Sequence, residues 1–358
     1  MSFIDSPLKL GFMPLLDAAP LIVAQELGLY KEEGLNVSLV RESSWATIRD
    51  KVAFGILDGA HMLAPIPFAS TLGLGSVRKP MLTALSLGLN GNAITVSKAL
   101  SAALTNSGAR PQPNTPAEWA QRLRDLTRGG NSGTKSRPIT LAIVHPHSMH
   151  HFLLRTWLKS GGVNPEQDLN IVVVPPPMMV SALEQGDIDG FCVGEPYNGL
   201  AQRKGLGDIL LTGHDVWPNA PEKVFGVTQQ WATKHEETHH LLIRALIRAC
   251  QWLDSPENRN DISGMLCQPD YLGLNRDILQ AAVQQMSAPQ GSALPATHKH
   301  FFQHDATVPW PAHGHWITKQ LQELSATPLD LPPTLVPDVY RTDLYRAAAL
   351  SLNVPCPA

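Results

Sequence analysis

The sequence predicts an α/β fold built as two similar lobes, and three observations carry that expectation. The chain is 358 residues long, more than one hydrophobic core usually serves. One phrase is written twice, as GILDGAHMLAPIP from Gly55 to Pro67 and GDIDGFCVGEPYN from Gly186 to Asn198. Each copy reads Gly, any residue, Ile or Leu, Asp, Gly, then an apolar run that reaches proline. Around each copy, strand-like and helix-like patterns alternate in the same order, as βαβ units with a parallel sheet require.

Around the first copy the order is strand Leu8 to Met13, helix Ala18 to Tyr30 ending before Gly34, strand Asn36 to Val40, helix Thr47 to Phe54, then strand GAHML after an Asp58-Gly59 turn. Around the second it is strand Ile139 to Val144, helix Ser148 to Lys159 stopped by Gly161-Gly162, strand NIVVVP, helix Met178 to Gln185, then strand GFCVG. Open parallel sheets bind ligands beyond the carboxyl ends of their strands. Pro65 and Pro196 each follow such an end, so each copy of the phrase is expected to form one rim of a cleft between the lobes. The boundaries expected are 1–92 with 199–327 for lobe 1, 93–198 for lobe 2, and a proline-rich tail, 328–358, wrapping the surface. Ser101 to Arg137 reads as a surface excursion around a helix from Pro116 to Thr127.

Composition narrows the function. Hydrophobic residues make up 43% and charged residues 16%, enough apolar material for two cores and no signature of disorder. The net charge is −3, and no stretch interleaves Lys or Arg with aromatic residues, which argues against direct nucleic-acid binding. No window holds the roughly 18 apolar residues a membrane span needs. The N-terminus lacks a basic stretch followed by a long apolar one, from which a cytoplasmic location is expected. Cys192, Cys250, Cys267 and Cys356 are scattered without CxxC pairs, a pattern of reduced thiols rather than disulfides or zinc.

Several residues could carry chemistry. HPHSMHH places His145, His147, His150 and His151 at a helix start, where they read as a metal pair, as capping or exposed residues, or as donors to an anion. Trp45 stands between a strand end and a helix start, as either a core residue or an indole donor at a cleft edge. Lys223 directly precedes an apolar strand, an odd place for a solvated lysine, though a surface turn accounts for it too. Asp58 and Asp189 read as turn residues. GGNSGTKS, Gly129 to Ser136, fails the phosphate-loop spacing and precedes a strand where a helix is required. No catalytic motif is found, so no enzyme is expected.

Taken together, LGFMPLLDAAPLIVAQELGLY, SSWATIRDK, DGAHMLAPIPF, IVVVPPPMM, GFCVGEPYN and PEKVFGV resemble the nitrate-binding proteins of the nitrate/bicarbonate ABC-transporter family. The similarity runs to about Leu253, with weaker matches in FFQHDATVPWPAHGHW and VYRTDLYRAAALSLNVPCP. The resemblance implies a two-lobed periplasmic-binding-protein fold of type II with its ligand in the interlobe cleft, no cofactor and no metal. It also implies a nitrate ligand set of Trp45, Asn92, His150, Gly194 and Lys223, with Asn92 standing where the family has a longer glutamine. Nitrate has only acceptor atoms, so its site should offer donors and positive charge and little else. Bicarbonate-binding relatives carry an acidic residue where this chain has Lys223, which favours nitrate or nitrite.

Within that family, a member without an export signal resembles the cytoplasmic nitrate/nitrite sensors of the NasS type. That resemblance implies an RNA-binding antiterminator of the NasT type as partner, held by the ligand-free protein and released by nitrate. Release requires only that the partner prefer open lobes and nitrate closed ones. The alternative is the substrate-binding protein of a nitrate ABC transporter. An enzyme on the same fold, like the thiamine-pyrimidine synthases, would need a clustered cysteine motif that is absent.

Overall fold

The structure is a computed structural model that describes residues 7–75, 77–105, 115–128, 137–287 and 295–357. The GGNSGTKS stretch, 129–136, lies outside the described residues. The chain divides into two compact units, Met1–Leu89 with Pro221–Gln280 and His300–Ala358, and Asn90–Ala220 with Ala281–Lys299.

The strands are β1 (Leu8–Phe12), β2 (Val37–Arg41), β3 (Gly59–Leu63), β4 (Met81–Ser86), β5 (Asn92–Ser97), β6 (Thr140–Ile143), β7 (Asn170–Val173), β8 (Gly190–Gly194), β9 (Gly207–Thr212) and β10 (Lys223–Thr228). The first unit holds the sheet β2-β1-β3-β10-β4 and the second holds β7-β6-β8-β5-β9. The two orders are the same topology. In each, three strands run parallel.

The parallel sheet read from the sequence is corrected in both units. β10 runs antiparallel between β3 and β4, and β5 runs antiparallel between β8 and β9. A helical crossover returns the chain in the same direction and so makes parallel neighbours. β10 and β5 instead enter their sheets from distant stretches of chain, a pairing that local periodicity does not carry.

The repeated phrase has a structural cause at its Asp-Gly step. Asp58 accepts the backbone N–H of Lys9 at 2.8 Å and donates its own N–H to the Lys9 carbonyl at 2.9 Å. Asp189 does the same with Thr140, at 2.9 and 2.7 Å. Each aspartate therefore clamps the start of its strand to the neighbouring parallel strand. The glycine that follows lies where the inserted strand crosses closely. A Cβ at Gly59 would lie 2.7 Å from Phe225, and one at Gly190 would lie 2.8 Å from the Thr95 carbonyl. The Asp-Gly half of the phrase thus sits where β3 and β8 begin, opposite the strand ends that the rim reading assigned to the phrase. Only its proline half lies at those ends.

The expected elements recur with small shifts. The helix read from Ala18 to Tyr30 is two helices, Ala19–Glu26 and Leu29–Glu32, because Gly28 takes φ +71° and breaks the ladder. The excursion helix runs Pro116–Arg128. Its Trp119 and Leu123 pack into the second unit's core with Leu141, Leu154 and Trp157.

Residues 199–220 were placed in lobe 1 by the sequence reading, whereas β9 pairs with β5 and lies in the second unit. The tail is more than a surface wrap. Val336, Tyr340, Tyr345 and Ala348 are buried, Tyr340 bridges to Thr83 of the edge strand β4, and Tyr345 shares a 2.8 Å hydrogen bond with Thr307. An edge strand covered in this way no longer offers a template for another chain. Among the described residues no helix is long and apolar enough to cross a membrane.

Candidate ligand-binding site

In the first unit, four polar side chains meet at the carboxyl ends of β1 and β3. Asp17 lies in the short turn Leu16–Ala18 that follows β1. His61 is the third residue of β3, and Lys223 opens β10, paired in register with Leu63 at the end of β3. Glu222 precedes it. The antiparallel direction of β10 puts Lys223 at this end of the sheet.

Lys223 is fully buried, and a buried charge is tolerated only when paired. Its Nζ lies 2.6 Å from Asp17 Oδ2 and 2.5 Å from Glu222 Oε1. Burial alone disfavours the ammonium, but the two carboxylates outweigh it and hold the pKa above that of an ordinary lysine. Lys223 is therefore charged. His61 Nδ1 accepts the Met13 N–H at 3.4 Å, and its Nε2 lies 3.0 Å from Asp17 Oδ1.

Trp45 begins the helix Trp45–Ala53, whose N-cap Ser44 accepts the Thr47 N–H at 3.1 Å. Its indole stands edge-on to His61 with ring centroids 5.2 Å apart. Lys223 Nζ lies 5.4 Å from the indole centroid, within cation–π range. The Trp45 Nε1 atom is buried and meets no protein acceptor among the described residues. A buried N–H left unmatched costs about 1–3 kcal/mol, so this donor is suited to a ligand oxygen. An ammonium has three N–H groups; two serve the carboxylates, and the third remains for the same use.

The structure thus brings Trp45 and Lys223 together. It also corrects the expectation of a site made of donors and positive charge alone, because Asp17 and Glu222 flank the ammonium. A lysine buried at a strand end cannot stay charged without such partners.

In the second unit, Asn92 opens β5 and pairs in register with Gly194, the last residue of β8. This is the position Lys223 and Leu63 hold in the first unit. Asn92 is buried. His150 is the second residue of the helix Met149–Ser160 and is buried as well.

The other histidines of HPHSMHH build the turn before that helix. His145 Nδ1 accepts the His147 N–H at 3.0 Å, and its carbonyl accepts the Ser148 hydroxyl at 2.7 Å. Ser148, rather than His147, caps the helix by accepting the His151 N–H at 3.1 Å. His151 Nδ1 lies 2.8 Å from the Pro146 carbonyl, and burial lowers its pKa. Among the described residues, no three His, Cys, Asp or Glu side chains gather to hold a metal ion.

Sequence reasoning missed Glu195, next to Gly194. It is buried, and its Oε2 accepts the Gly199 N–H at 3.1 Å. Burial pushes its pKa up to about 7, against the pull of that bond and of Asn198. It also missed Asp17, His61 and Glu222. A histidine inside the apolar strand GAHML and a Glu-Lys pair before another apolar strand were the available signals.

The model of the NMT1-like family matches residues 5–267. A nitrate import ATP-binding protein, NrtC, from Synechocystis is 38% identical over 357 residues, covering 97% of this chain and 50% of that protein. A bicarbonate transport ATP-binding protein, CmpC, from the same organism is 37% identical over 319 residues, covering 88% and 45%. The chain spans about half the length of these curated relatives. The crystal structure of the periplasmic nitrate-binding protein NrtA from Synechocystis superposes with a TM-score of 0.84 at 27% identity, covering 98% of this chain and 89% of that one. The fold is thus α/β, two-lobed and periplasmic-binding-protein-like, with a mixed sheet in each lobe. With the family model matched across well over half its length, the chain belongs to the NMT1-like family.

Proposed function

We propose that this chain binds nitrate as the substrate-recognising part of a nitrate import system. The observation that carries the reading is the Trp45 Nε1 donor beside the Lys223 ammonium. Nitrate is planar, monoanionic and accepts hydrogen bonds at every oxygen, which matches an unmatched indole N–H and a spare ammonium N–H. Asn92, His150 and Gly194 belong to the ligand set by resemblance. The relatives named for nitrate import and nitrate binding support the ligand.

Those relatives are named for import rather than for regulation. The sensor role, with an RNA-binding antiterminator released in the cytoplasm, is therefore placed below import. Binding and transport need no chemical step.

Calorimetric titration of the wild-type chain with nitrate, nitrite and bicarbonate tests the ligand. Heat is expected with nitrate and not with bicarbonate. Heat with bicarbonate alone would show that Asp17 and Glu222 serve as acceptors for a ligand hydroxyl, and the nitrate reading would fail.

A further inference from the structure

A cavity of about 120 Å³ opens within the first unit, where the helix Glu236–Asp254, the strand β4 and the tail around Arg341 meet. A single water needs only about 10–15 Å³, so the space suits a ligand of several heavy atoms. Leu82 of β4 lines it and stands in register with Val227, whereas Lys223 opens β10 at that strand's other end. The cavity is therefore separate from the cluster around Lys223.

Its apolar wall is Leu82, Ile243 and Leu344, and its polar lining includes Glu236, His239 and Arg341. The tail holds Arg341 in place, because its backbone N–H donates to the Thr83 carbonyl at 2.9 Å. The Arg341 Nε and Nη2 donate to Asp343 at 2.8 and 2.6 Å, which leaves Nη1 for a further acceptor. Asp343 chiefly holds the guanidinium pKa above its ordinary value, and the charges of Asp338 and Glu236 add to it. Arg341 and Glu236 nevertheless form no ion pair, and among the described residues Glu236 joins no other. Two opposite charges thus border one cavity without meeting.

His239 is 2% exposed, and its Nε2 meets no hydrogen-bond partner among the described residues. A buried ring nitrogen left unmatched is costly. Burial, with the charges of Arg341 and His240, lowers the His239 pKa to about 4. The ring is therefore neutral at neutral pH, with one N–H donor and one acceptor nitrogen.

We propose that this cavity binds a small aliphatic α-amino acid as its zwitterion, with the carboxylate on Arg341, the ammonium on Glu236 and the side chain against Leu82, Ile243 and Leu344. His239 supplies a further hydrogen bond from the buried side. A simple anion would meet the Glu236 charge with nothing to offer it, and a simple cation would meet Arg341 in the same way. A ligand carrying both charges on adjacent groups serves both residues. This site is independent of the nitrate reading.

The test is calorimetric titration of the full chain with L-valine, with 3-methylbutanoate, which lacks the ammonium, and with isobutylamine, which lacks the carboxylate. Valine is expected to bind, and each truncated analogue to bind at least about tenfold more weakly, the loss expected for one hydrogen bond to a charged group. Glu236 is exposed, so Glu236→Gln should keep the wild-type melting temperature and wild-type nitrate heat while losing at least about tenfold in valine affinity. No valine heat in wild type, which requires no variant to fold, overturns the proposal. So does 3-methylbutanoate or isobutylamine binding as tightly as valine, and so does unchanged valine affinity in Glu236→Gln.

Discussion

Lys223→Ala is expected to abolish measurable nitrate heat and to destabilise the first unit by about 3–5 kcal/mol, the range for removing one partner of a buried ion pair. The substitution leaves Asp17 and Glu222 buried without the ammonium that sits 2.6 and 2.5 Å from them. It also removes the ammonium that lies 5.4 Å from the Trp45 ring centroid. Thermal denaturation should show the loss directly. The deficit should shrink under acid conditions, because protonated carboxyls no longer need a counter-charge. A variant as stable as wild type at neutral pH would mean that the two carboxylates find other partners, and the charge cluster would not be what holds this end of the sheet.

The second large effect lies in the second unit and involves pH. Glu195 is buried and holds its proton up to about pH 7, whereas the ordinary value is 4.5. Between those values the folded chain binds more protons than the unfolded one, so stability is fully present below about pH 4.5 and is lost as pH rises toward 7. The difference in pKa corresponds to about 3 kcal/mol. Glu195→Gln retains an acceptor for the Gly199 N–H and cannot ionise. Its melting temperature should exceed that of wild type by several degrees at pH 8 and match it near pH 4.5. Parallel stability curves for the two proteins across this range would sink the assignment.

Local sequence patterns carried much of the fold and less of the site. β3 and β8 run as read, because the Asp-Gly step marks their starts and the proline that follows marks their ends. The direction of β5 and β10 was not legible, since each is inserted between strands from another part of the chain. The helix broken at Gly28 was read as continuous because apolar spacing persists through a residue whose φ of +71° ends the ladder.

At the site, Lys223 stood out because a lysine at the head of an apolar strand is expensive to bury. Its carboxylate partners did not. Asp17 is 206 positions away along the chain, so their meeting depends on β10 running antiparallel beside β3. Glu195 lay hidden in plain view, because a glutamate before proline at a strand end looks like a surface turn until its burial is known. The histidines of HPHSMHH divide for a similar reason: Ser148 takes the cap, which gives His145 and His151 roles in shaping the turn.

The central claim is that the Trp45 indole N–H and the Lys223 ammonium donate to one small oxyanion. The most direct measurement is the set of indole N–H resonances of nitrogen-labelled protein, which has eight tryptophans, recorded as nitrate is added. One resonance, identified as Trp45 by its absence in Trp45→Phe, should move downfield and saturate at the Kd found by calorimetry, while Trp45→Phe binds at least about tenfold more weakly, the loss expected for one buried hydrogen bond to a charged group. A Trp45 resonance that stays in place while nitrate binds would contradict the account.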